Sequence, residues 1–186
     1  MNKELENTLK TLSEGGLILY PTDTVWGIGC DATNPQAVEK VYQLKKRHDS
    51  KALICLAADD RMLKNYIEQI PQMALTILEI ANKPTTIIYD GAKNLAPNLI
   101  AADRTIAFRI PDDEFCFRLL RKFNKPIVST SANISGQPTP KSFKEISNEI
   151  IKGVDYVVNL HREKICTSPS AIIKLSTDGQ VKIIRT

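Results

Sequence analysis

The chain has 186 residues, 42% of them hydrophobic and 25% charged, with a formal net charge of +4. That length suits one well-buried core and is short for two full domains, so a single domain over 1–186 is expected. The longest apolar run, 52–58, is too short to cross a bilayer, the N-terminus lacks the apolar stretch of a signal peptide, and the charge excess alone announces no nucleic-acid binder. A cytoplasmic protein with no membrane partner is the expectation.

In chain order, Leu5, Leu9 and Leu12 predict a helix that Gly15-Gly16 stops, and 17–20 predicts a short buried strand halted by Pro21. Asn34-Pro35 is an N-cap followed by proline at the first helical position, ahead of an apolar face of Ala37, Val38, Val41 and Leu44. A strand is expected over 52–56, and helices after Asp59 and Pro71. Strands over 85–89 and 105–110, a helix over 112–122 capped by Asp112, and a strand over 127–129 follow. Ser142-x-x-Glu145 reads as a capping box that starts another helix. Asp178-Gly179 between the apolar runs 171–175 and 181–184 signals a terminal hairpin. This alternation predicts an α/β fold with a substantially parallel sheet.

The four cysteines form no CxxC pair, and Cys55 and Cys116 read as core hydrophobes. With only His48 and His161 available, a histidine metal site or hydrolase triad is improbable, and ionic chemistry falls to Lys, Arg and carboxylates. Ligands of open α/β sheets tend to sit beyond strand ends, and four polar regions stand out there. The loop 21–31 carries two threonines and ends in glycines; a capped turn with a core tryptophan, Trp26, is its plain alternative. In 45–51, Lys45 and Arg47 would point the same way along extended chain, or simply end a solvated helix. Hydroxyl and amide groups crowd 129–139, either a polar ligand loop or a local turn. Arg109 inside an apolar strand, Ser170 before another strand and Arg185 near the end complete the set. No GxxxxGK[ST] or GxGxxG is present.

PTDTVWGIGCD, LKKRHDSKALI, IAFRIP, STSANISGQPTP and PSAIIKL, in this order and with Arg185 behind them, resemble the YrdC/TsaC family of L-threonylcarbamoyladenylate synthases over nearly the whole chain. The resemblance implies a single-domain, twisted, open mixed sheet flanked by helices around a basic concave cavity. It implies that L-threonine, bicarbonate (or CO2) and ATP give threonylcarbamoyl-AMP and pyrophosphate, for the threonylcarbamoyladenosine modification of tRNA. It places Thr24, Arg109, Ser131 and Ser170 at threonine and Arg47, Lys51, Thr105, Asn133, Lys141 and Arg185 at ATP. Lys45, Arg47, Ser131 and Asn133 become the catalytic candidates, with Mg2+ carried on the phosphates and no protein-ligated metal. Downstream threonylcarbamoyl-transfer proteins and weak tRNA binding are the implied partners. Asp23 and Trp26 stand where the family often has Glu and Tyr. The rival readings are an RNA-binding module without catalysis and a carbamoyl-transfer enzyme with another acceptor.

Overall fold

The computed structural model describes residues 1–47, 53–166 and 169–186. Helix α1 (Asn2–Ser13) turns Leu5, Thr8 and Leu12 inward, and Gly15, at φ +73°, lets the chain reverse into β1 (Ile18–Tyr20). Strand β2 (Gly27–Gly29) leads to α2 (Pro35–Leu44), where the Asn34 side chain accepts from the N–H groups of Gln36 and Ala37. A cap of this kind stabilises a helix by about 1 kcal/mol. Strand β3 (Ile54–Leu56), α3 (Asp60–Leu63), α4 (Gln72–Ile80), β4 (Thr85–Tyr89) and β5 (Ile106–Arg109) follow. Helix α5 (Glu114–Phe123), β6 (Ile127–Ser131), α6 (Asn148–Gly153), β7 (Tyr156–Val157) and the hairpin β8 (Ala171–Leu175) and β9 (Val181–Arg185) complete the chain.

Two helix starts differ from the sequence reading. The α5 cap is Asp113, which accepts from Cys116 N, rather than Asp112. The Ser142 box begins only a 3-10 turn over 143–145. Glu145 is drawn back to the Lys141 N–H and the Ser142 hydroxyl, and α6 starts later, capped by Ser147.

The strands form one open sheet in the order β7-β1-β2-β6-β3-β5-β4-β8-β9. Five neighbouring pairs are antiparallel and three parallel. The sheet is mixed rather than substantially parallel. The three-residue, glycine-rich β2, which inserts between β1 and β6, accounts for two of the antiparallel pairs, and β3–β6 and β4–β5 add two more beside the terminal hairpin.

Register decides what the two faces carry, because residues paired across strands share a face and alternate ones oppose it. Leu19, Ile28, Val128, Cys55, Phe108 and Ile87 fall on one face and are buried. Burying each large apolar side chain contributes about 1.5–3 kcal/mol. The other face carries Gly27, Ser131 and Ser129 on the β2–β6 side. Arg109, Thr86, Ile172 and Arg185 continue it through the β5–β4–β8–β9 side. Across this second face the small residues leave room for the charged ones.

Candidate active site

A cavity of about 210 Å3 opens on that polar face, lined by Gly27, Ser129 and Ser131 from β2 and β6, with Arg109, Ser170 and Arg185 opposite. Thr24 and Arg47 reach it from loops. The site therefore lies across the sheet rather than beyond the strand ends, because the β1–β2 loop folds back over the face until Asp23 meets Arg109. Gly29 serves packing instead of a ligand: a Cβ there would lie 2.7 Å from the Tyr20 ring and from the Val128 carbonyl oxygen.

Arg109 is 3% exposed, and its Nη2 lies 3.1 Å from Asp23 Oδ1. The N–H does not line up on that oxygen, so Asp23 Oδ1 and Arg109 Nε both lack hydrogen-bond partners. Arg109 Nη2 also donates to Thr22 Oγ1 at 3.5 Å, and the Thr22 and Thr24 hydroxyls share a hydrogen bond of 3.0 Å. On the facing side, Ser170 Oγ is 2.7 Å from Thr86 Oγ1, while the Ser170 carbonyl accepts from Arg185 Nε at 2.9 Å and Nη2 at 2.7 Å. Burial and then the Arg109 charge hold Arg185 below the usual arginine range. Two guanidiniums that repel one another across a cavity form a receptor for an anion.

Lys45 belongs to a different kind of structure. It is 3% exposed, and its ammonium donates to the Ser131 and Asn133 carbonyls, each at 2.7 Å. Its own carbonyl accepts from Ser135 N at 2.9 Å. Burial and then the neighbouring Arg47 charge push its pKa down to about 8. Beyond it, Asn133 Nδ2 donates to the Ile134 and Gln137 carbonyls, which closes the 133–137 turn. Asn133 Oδ1 is buried without a partner.

Residues 10–186 match the Sua5/YciO/YrdC family model, described as telomere recombination. The chain belongs to the Sua5/YciO/YrdC family. It is 38% identical over 149 residues to threonylcarbamoyl-AMP synthase of Photobacterium profundum, covering 78% of this chain and 80% of that protein. It is 37% identical over 151 residues to threonylcarbamoyl-AMP synthase of Pseudoalteromonas translucida, covering 80% and 81%. The fold matches P. abyssi Sua5 complexed with L-threonine at a TM-score of 0.82 and 24% identity, over 92% of this chain and 50% of that one. The present chain thus spans about half the length of that Sua5 protein.

Of the residues that the family resemblance singles out, the cavity brings together Thr24, Arg47, Arg109, Ser131, Ser170 and Arg185. Lys45 stands behind the 131–137 loop and Asn133 is a turn residue within it, neither of them on the lining, and Lys51 and His48 lie outside the described residues. Lys45 and Arg47 do not point alike: Lys45 caps α2, and Lys46 takes φ +50°, which breaks the extended geometry. Thr105 is not at the cavity. Its hydroxyl donates to Asp103 Oδ1 at 2.6 Å, at the end of β5 opposite Arg109. Lys141 is exposed and also off the lining, although Thr139 reaches it. Thr86 escaped the sequence reading, and only strand register reveals it beside Arg109 and Ser170. The cysteines are buried and the Cys30 and Cys55 thiols are pushed up by burial, as core residues should be. Among the described residues no His/Cys/Asp/Glu group could hold a metal, and no helix is long and apolar enough to cross a membrane.

Proposed function

We propose that this chain, acting as one catalytic domain in the cytoplasm, is a threonylcarbamoyl-AMP synthase that joins L-threonine, bicarbonate (or CO2) and ATP with release of pyrophosphate. The observation that carries this reading is the convergence of three guanidiniums and small hydroxyls on one cavity of a family member. The name printed for the curated relatives supports the reaction, and the L-threonine bound to the P. abyssi protein supports the substrate.

The cavity, about 210 Å3, is smaller than pockets that enclose drug-sized ligands, ~300–1,000 Å3, and suits an amino-acid-sized group. Threonine's carboxylate would meet the Arg109 guanidinium, with the hydroxyls of Ser170 and Thr24 beside it. The nucleotide would extend past Ser131 toward Arg47 and the mouth. The amine of threonine adds to CO2 and loses a proton, giving a carbamate. A carbamate oxygen then bonds to the α-phosphorus of ATP as the bond to the bridging oxygen breaks, and pyrophosphate leaves. Both steps gather negative charge, which fixed guanidiniums stabilise without a protein nucleophile. Among the described residues no acid lines the cavity, and Asp23 is already paired with Arg109, so Mg2+ would ride on the phosphates. The product, a mixed anhydride, would pass to threonylcarbamoyl-transfer proteins, with tRNA touching this chain weakly at most.

The test is pyrophosphate release with each substrate omitted in turn. Release that needs ATP, bicarbonate and L-threonine together is expected. Threonine-independent release overturns the assignment, and no release alongside tight RNA binding would make the chain an RNA-binding module.

A further inference from the structure

Asp23 lines a second and larger cavity of about 580 Å3, together with Lys83, Asp112, Lys164 and an apolar wall that includes Leu78 and Ile110. Arg109 lines the smaller cavity instead. Their ion pair, with side chains 5% and 3% exposed, is therefore part of the partition between the two. Resting on the reading of the smaller cavity as a threonine site, we infer that Asp23 is a positioning residue, which holds the Arg109 guanidinium in its threonine-binding pose from the far side of this partition.

Three observations carry this. First, Asp23 is itself anchored, its Oδ2 accepting from Asp112 N at 3.3 Å. A carboxylate fixed this way determines where the guanidinium sits. Second, the pair is not saturated. A buried ion pair retained for the fold alone needs its remaining hydrogen bonds satisfied to offset desolvation. Here Asp23 Oδ1 and Arg109 Nε, both buried, have none, so the fold does not complete the pair, while Arg109 lines the smaller cavity. Third, Arg109 and Arg185 face a common space in which their charges oppose one another. Asp23 offsets one of them, so that a carboxylate bound between the two guanidiniums faces one uncompensated charge. The Arg109–Thr22–Thr24 contacts carry the same orientation onward to Thr24 on the lining.

Asp23→Asn keeps the shape and an acceptor for Asp112 N but removes the charge. Asp23→Glu keeps the charge, and the larger cavity gives room for the extra methylene. The experiment titrates L-threonine calorimetrically into the full chain without nucleotide, then separates KM for threonine from KM for ATP. Asp23→Asn is expected to weaken threonine binding about tenfold and to raise its KM in parallel, with the KM for ATP changed less than about threefold. Asp23→Glu is expected to return threonine affinity to within about threefold of wild type. Unchanged threonine affinity in Asp23→Asn overturns the inference, as does an equal rise in both KM values. If Asp23→Asn does not fold, Asp23→Glu decides: a glutamate variant that folds normally yet loses threonine binding contradicts a role carried by charge. Wild-type protein that binds no threonine sinks the threonine-site reading itself, which separates that failure from one confined to Asp23.

Discussion

The two sides of the cavity are built on opposite principles. Behind the 131–137 loop, Lys45 places its charge on two backbone carbonyls, and its own carbonyl takes the Ser135 N–H. Across the cavity, Arg109 and Arg185 keep their charges beside open space, and Arg109 keeps an N–H without a partner. Both sides are cationic. A cation strapped to backbone carbonyls behind a loop shapes the site, whereas one that lines the cavity can meet a ligand. Arg47 and Lys45, two residues apart, differ in place: Arg47 lines the cavity, whereas Lys45 is held on backbone carbonyls behind it.

Arg47→Ala should lower turnover about 10²-fold or more in the pyrophosphate assay, as loss of a charge contact in the transition state does. Its melting temperature should fall less than that of Lys45→Met. Lys45→Met strands two carbonyls and should cost about 2–4 kcal/mol in urea unfolding, since an unsatisfied buried acceptor costs about 1–3 kcal/mol. A Lys45→Met chain with wild-type stability would show that the ammonium is not the anchor.

Titration sharpens the same point. The folded pKa of Lys45 is about 8 against an ordinary 10.5, so between these values the unfolded chain holds more protons. Its contribution to stability is flat below pH 8 and rises as pH climbs through that window, by up to about 3 kcal/mol. Buried thiols act in the other direction at high pH, so the quantity to measure is wild type minus Lys45→Met, at pH 7 and pH 9.5. The difference should move in favour of wild type, and a move toward the variant would contradict the buried ammonium.

A smaller effect is expected on the guanidinium side. Thr86→Val frees the Ser170 hydroxyl from its 2.7 Å partner. It should raise the KM for threonine about threefold to tenfold and cost about 1 kcal/mol of stability. Smallest of all, Lys144→Ala breaks an ion pair with Glu163 in which both side chains are more than three-quarters exposed, and neither turnover nor melting temperature should change measurably.

Much of this was legible in the chain. Apolar runs gave β1, β4, β5 and β6, Asn34-Pro35 gave α2, and Asp178-Gly179 gave the terminal hairpin. Local chemistry fixes such elements, so local sequence reveals them. Strand β2 stayed hidden because three residues with two glycines carry no strand signal, and β7 because two residues cannot. Strand order and register are tertiary properties, and they bring Thr86 opposite Arg109 and set the cavity on the face of the sheet. The Lys45-x-Arg47 spacing suggested a shared direction. One left-handed residue, Lys46, separates a strap from a cavity-lining cation. Asp23 is a single acid in a loop, and only the folded distance to Arg109 gives it meaning.

The most direct test identifies the product. Incubation with 13C-bicarbonate, L-threonine and Mg-ATP, followed by mass spectrometry of the adenylate, should give a species that contains AMP, the whole of threonine and one labelled carbon. An unlabelled threonyl adenylate, or AMP without any threonine conjugate, would contradict the account.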